Sequence, residues 1–110
     1  MTTRVVGLVD DLMDRSRLAT LGGVTWTRSA AQAAALAPDV VIVDLARYGA
    51  EVAALRDLLP AALVVGFGPH VDATDLADAR TAGADRALPR SRFFADPAAA
   101  LAAHPGGARP

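Results

Sequence analysis

The chain has 110 residues, 53% of them hydrophobic, which is material for one compact domain with a buried core and too little for two. Eleven basic residues against twelve acidic ones leave a formal charge of −1, and there is no cysteine. Disulfide scaffolds, thiolate zinc sites and Cys nucleophiles are excluded, and no bulk field draws the chain onto nucleic acid or membrane. All eleven basic residues are Arg; with no Lys, neither Schiff-base nor P-loop chemistry is available. No apolar run approaches the ~20 residues that span a bilayer, and Met-Thr-Thr-Arg does not read as a signal peptide. A soluble, cytoplasmic domain is expected.

Arg4–Val9 is a nearly continuous apolar run that ends in Asp10 and Asp11, as a strand buried on both faces would. Leu12, Met13, Leu18 and Leu21 predict a helix over Leu12–Leu21 with these four on its inner side, stopped by Gly22-Gly23. Val24–Thr27 alternates apolar and polar, as a half-exposed edge strand does, and Trp26 on it needs no special role. Ser29 and Gln32 form a capping box for an Ala-rich helix over Ala30–Ala37, ended by Pro38. Val40–Val43 is the most β-branched run of the chain and leads into Asp44. Glu51–Leu59 carries Val52, Leu55, Leu58 and Leu59 at helical spacing. Ala62–Val65 predicts a fourth strand, followed by a loop Gly66-Phe67-Gly68-Pro69-His70. Asp72 caps a helix over Ala73–Ala82 that Gly83 ends, and Ala87-Leu88 falls where a fifth strand belongs. Asp96-Pro97 opens a last helix through about Ala103, which Phe93-Phe94 would pack onto the sheet. Residues 1–103 thus form the domain, and the tail His104–Pro110, with no apolar face to bury, is expected to be disordered.

Five strand–helix rounds predict an α/β protein, a parallel open sheet with helices on both faces, in which ligands and chemistry gather at the carboxyl ends of the strands. Asp10 and Asp11 end the first strand and Asp44 the third. If those strands are neighbours, three carboxylates converge, and a hard divalent ion such as Mg²⁺ or an Arg must offset them. The alternative is that the acids cap helices and meet solvent.

Val9-Asp10-Asp11, then Pro38-Asp39-Val40-Val41-Ile42-Val43-Asp44-Leu45, then Ala82-Gly83-Ala84-Asp85 with Leu88-Pro89, resembles the receiver domain of bacterial response regulators, the CheY-like superfamily, over about residues 4–103. The resemblance implies a flavodoxin-like (βα)₅ three-layer sandwich with strand order 2-1-3-4-5. It implies Asp44 as phosphoacceptor in a phosphorelay, with Asp10 and Asp11 joining it to bind Mg²⁺. Two family positions depart from the pattern. Phe67 stands about where a Thr or Ser hydroxyl meets the phosphoryl group, and Arg90 stands where a Lys follows the fifth strand. A planar guanidinium is not a drop-in ammonium, and no Lys elsewhere stands in. The acid half of the site is kept and the switch half is altered.

Arg15 and Arg17 in the first helix, His70 after the fourth strand, and Arg90 and Arg92 after the fifth all fall toward the carboxyl edge. They are open to three readings: counter-ions for the acids, an anion site built by Arg15, Arg90, Arg92 and His70, or solvated surface. No base–nucleophile pair, redox motif or cofactor motif is present, so no enzyme is expected. The leading expectation is a stand-alone pseudo-receiver that signals through protein contact, by family analogy around the fourth and fifth helices, without regulated phosphorylation. A Mg²⁺-dependent phosphoacceptor with Asp44 phosphorylated by a partner kinase is the alternative, and a small anionic-ligand-binding protein the second. The expected partner is a kinase or output protein, with a homodimer left open, and neither nucleic acid nor membrane.

Overall fold

Val40–Asp44 (β3) is apolar on both sides, so it can be satisfied only at the centre of a sheet covered on both faces, and that is its place. The computed structural model of the protein describes residues 3–69 and 73–102. Val5–Leu8 (β1) pairs with β3 on one side and with Val24–Trp26 (β2) on the other. Leu63–Gly68 (β4) and Arg86–Pro89 (β5) complete a parallel five-stranded sheet of order β2-β1-β3-β4-β5. The expected class, topology and strand order are all present.

The pleat sends alternate residues to two cores. Val6, Leu8, Val41, Val43 and Val64 meet Ala30–Ala35 (α2), Val52–Leu58 (α4) and Ala73–Ala82 (α5) on one face. Val9, Ile42, Val65 and Phe67 meet Leu12–Leu18 (α1), Arg90–Ala95 (α6) and Pro97–Leu101 (α7) on the other. A short helix, Leu45–Tyr48 (α3), follows β3 directly. Two glycines allow close approach. A Cβ at Gly7 would stand 2.5 Å from the ring of Trp26, and Gly83 closes α5 at φ +129 against Arg56. Arg56 in turn donates to Gly83, Leu59, Pro60 and Ala62 carbonyls and to the Asp85 carboxylate, tying α4 to the turns beside it.

Several local expectations are corrected. Leu12 and Met13 do not face the core: they are 77% and 67% exposed, and the inward positions of α1 are Asp14 and Leu18. Gly66, Phe67 and Gly68 belong to β4, not to a loop, because their backbone pairs with β3 and β5. Phe93 and Phe94 form their own helix, α6, a turn before α7. The helix before Pro38 ends at Ala35, and Ala37 turns the chain at φ 49, since the proline disfavours the helical region at the residue preceding it. The first helix closes in a 3₁₀ turn over Ala19–Leu21, and α4 is entered through another over Gly49–Glu51. The Asp72 cap, His70 and the tail 104–110 lie outside the described residues.

Candidate functional site

The carboxyl ends of β1 and β3 are adjacent, so Asp10, Asp11 and Asp44 meet at one cleft, lined also by Ala46 and Arg47. Each acid already has local work. Asp11 is the N-cap of α1, its Oδ1 accepting from the Asp14 N–H at 3.0 Å. Asp44 is the N-cap of α3, its Oδ1 accepting from the Ala46 N–H at 3.2 Å. Asp10 is held through both oxygens. Tyr48 Oη donates to Oδ1 at 2.6 Å, Arg15 Nη2 stands 4.0 Å from the same oxygen, and Arg47 Nε lies 3.4 Å from Oδ2.

Electrostatics follow from this packing. Burial pushes the Asp44 carboxyl above its ordinary value, outweighing the opposing pull of the Ala46 N–H and of Arg90; Asp14 adds to the rise. The Tyr48 hydroxyl keeps its proton above its usual range, chiefly through its bond to Asp10. Arg15 is held from two further sides: Nε donates to the Val9 carbonyl at 2.6 Å, and the guanidinium lies 5.1 Å from the Trp26 ring centroid. The resemblance noted in the sequence implies a divalent ion at these acids, and the donor set does not fit one as it stands. Asp10 accepts from the Tyr48 hydroxyl and faces two guanidinium groups at 3.4 and 4.0 Å, and among the described residues no three acidic or imidazole side chains are grouped to hold an ion.

The other half of the edge is closed. Phe67 sits in register opposite Asp44, on the same face of the sheet, and is fully buried. It stacks on Phe93 at 5.0 Å and meets the edge of Phe94 at 5.0 Å, and these two meet each other at 4.9 Å. Arg90 lies over this cluster, 5.3 Å from Phe67 and 5.2 Å from Phe94. It grips Asp14 with both arms, Nη2 to Oδ1 at 2.7 Å and Nη1 to Oδ2 at 3.0 Å. Asp14 is 2% exposed, so this pair welds α1 to the start of α6, and Asp14 holds the Arg90 proton still more firmly.

The arginines therefore occupy separate surroundings. Arg15 lies against Asp10 and Trp26, Arg17 against Phe94, and Arg90 on Asp14. Arg92 lines a different small cleft with Arg86, Leu88 and Asp96. Asp14, Arg47 and Tyr48 escaped the sequence reading. The signal for Asp14 was present: Leu18 and Leu21 lie four and seven residues after it, on the stripe that faces the core. Arg47 and Tyr48 left none, because the helix that presents them has no apolar period.

No protein-family model and no curated protein sequence matches the chain. Solved structures do. A response regulator protein from Burkholderia pseudomallei, crystallised with a phosphorylated aspartic acid, calcium ion and citrate, is 22% identical; the match covers 92% of this chain and 67% of that one, with a TM-score of 0.74. A CheY-like protein (tadZ) from Pseudomonas aeruginosa is 22% identical over 89% of this chain and 95% of its own, with a TM-score of 0.72. The signal receiver domain of an HD domain-containing protein from Pseudomonas fluorescens is 18% identical over 91% of both, with a TM-score of 0.73. Strand order, helix placement and these likenesses agree, and the chain has the fold of a response-regulator receiver domain.

Proposed function

We propose that this chain is a receiver-type signalling module that acts through contact with a protein partner and without regulated phosphorylation of Asp44. One observation carries the reading: the position in register with Asp44 is a buried phenylalanine, capped by an arginine that is already committed to Asp14. A phosphoryl group on Asp44 would find no hydroxyl on β4 to bond, and Arg90, which follows β5, is held by Asp14. A coupled rearrangement would have to break a half-buried bidentate ion pair and an aromatic cluster together. Such a module presents one surface to a kinase or output protein instead of switching between two. Among the described residues no helix is long and apolar enough to cross a membrane.

The test is intact-protein mass after incubation with acetyl phosphate and Mg²⁺, with Asp44→Ala beside the wild type and an ordinary receiver as positive control. No phosphoryl adduct is expected on the wild type under conditions that label the control. An adduct present on the wild type and absent from Asp44→Ala overturns the reading in favour of a Mg²⁺-dependent phosphoacceptor, which the convergence of Asp10, Asp11 and Asp44 on one cleft would then serve.

A further inference from the structure

The five residues Asp44-Leu45-Ala46-Arg47-Tyr48 form one local device. Asp44 caps the helix that it begins, and one turn later that helix delivers a guanidinium and a phenol to Asp10, just past the end of the neighbouring strand. Arg47 lines the same cleft as all three acids. We infer that Arg47 is the resident cation of this cleft: its guanidinium supplies the positive charge that the three carboxylates need, and so lowers their affinity for a divalent ion.

The physical case rests on tethering and on charge. A cation attached three residues from Asp44 is present at high local concentration, whatever the ionic content of the solvent. At 64% exposure, Arg47 gains little stability from its ion pair, yet its charge still acts on any second cation that enters. A single positive charge about 6 Å from a divalent ion weakens binding roughly tenfold even at the dielectric of water. Arg15 adds to this field from 4.0 Å, but it is also anchored on Val9 and Trp26, whereas Arg47 lies nearer to Asp10, at 3.4 Å.

Mn²⁺ serves as the probe, its free concentration read by electron paramagnetic resonance at pH 7 and low ionic strength. Wild type is compared with Arg47→Gln, Arg47→Lys, and Arg47→Gln combined with Asp44→Asn. Arg47→Gln should bind Mn²⁺ roughly tenfold more tightly than wild type. Arg47→Lys, which keeps the charge, should bind like wild type, and the double variant should lose the gain. Equal affinities for wild type and Arg47→Gln would overturn the assignment. So would a Lys variant that tightens like Gln, or a double variant that keeps the gain. Because Arg47 is exposed, its replacement leaves the core untouched, which circular dichroism checks. No phosphodonor enters this experiment, so its outcome and that of the acetyl phosphate test stand or fall separately.

Discussion

On the β1–β3 side of the carboxyl edge, three carboxylates line an open cleft, and Asp10 finds its counter-charges on side chains that are partly or largely exposed. On the β4–β5 side, Phe67, Phe93 and Phe94 pack beneath an arginine whose partner carboxylate is 2% exposed. Both halves balance acid with arginine, but the energetic consequences are opposite. In water an ion pair is weak and can be exchanged for another cation; out of water it must stay paired, and what it joins becomes rigid. The acid cleft is therefore the adjustable half of this edge, and the aromatic half is the fixed one.

The contrast can be broken most forcefully at Phe67. Phe67→Ala removes the central ring of the cluster and should cost about 3–5 kcal/mol in urea unfolding. A loss below about 1 kcal/mol would mean that the cluster closes over the cavity and that this half is not rigid. Arg90→Ala comes next. It strands Asp14 without its partner, and should cost about 2–3 kcal/mol, below the range for a fully enclosed pair because the Arg90 side chain is 39% exposed. Replacing Asp14 and Arg90 together by Leu should recover most of that loss, whereas strictly additive losses would show that the two do not act as a pair.

The smallest effect belongs to Asp44, and its sign is set by pH. Burial raises the Asp44 carboxyl above its ordinary 3.8, so the ionised form is the costly one in the folded protein. Below 3.8 both folded and unfolded chains carry the proton, and the cost is absent. As pH rises from there through the raised native value, the unfolded chain releases its proton first and stability falls to a plateau. Asp44→Asn keeps a capping side chain and should gain less than about 1 kcal/mol at pH 7, a gain that vanishes in acid. A gain that persists below pH 3.8 would place its origin in packing, not in charge.

The strands β1, β3 and β4 were legible because each is a short apolar run closed by an acid or a Gly, signals that are local in sequence, whereas β5 followed only from its place in the strand–helix alternation. Helix ends marked by Pro38, Gly83 and the Ser29–Gln32 box were legible for the same reason. The reading of α1 failed because Leu12 and Met13 are apolar, and polarity alone does not say that an acid four residues before Leu18 faces inward with an arginine waiting for it. The length of β4 was misjudged because Gly66 and Gly68 look like loop residues until strands on both sides claim their backbone. Phe67 was recognised as a departure from the family pattern; its burial among Phe93 and Phe94 depends on α6, which no apolar period announced.

By itself the sequence determined the class of fold, since alternation of short apolar runs and turns allows few other arrangements; the strand order, and with it the meeting of Asp10, Asp11 and Asp44 at one edge, was implied only by the resemblance of the segments around Asp10 and Asp44 to receiver domains. Which arginine answers which carboxylate was decided only by the tertiary structure. Arg90 is 76 residues from Asp14, and Tyr48 is 38 from Asp10. Pairs of long side chains across such separations depend on which side chains burial keeps from water, and that is a property of the packed layers, not of any segment.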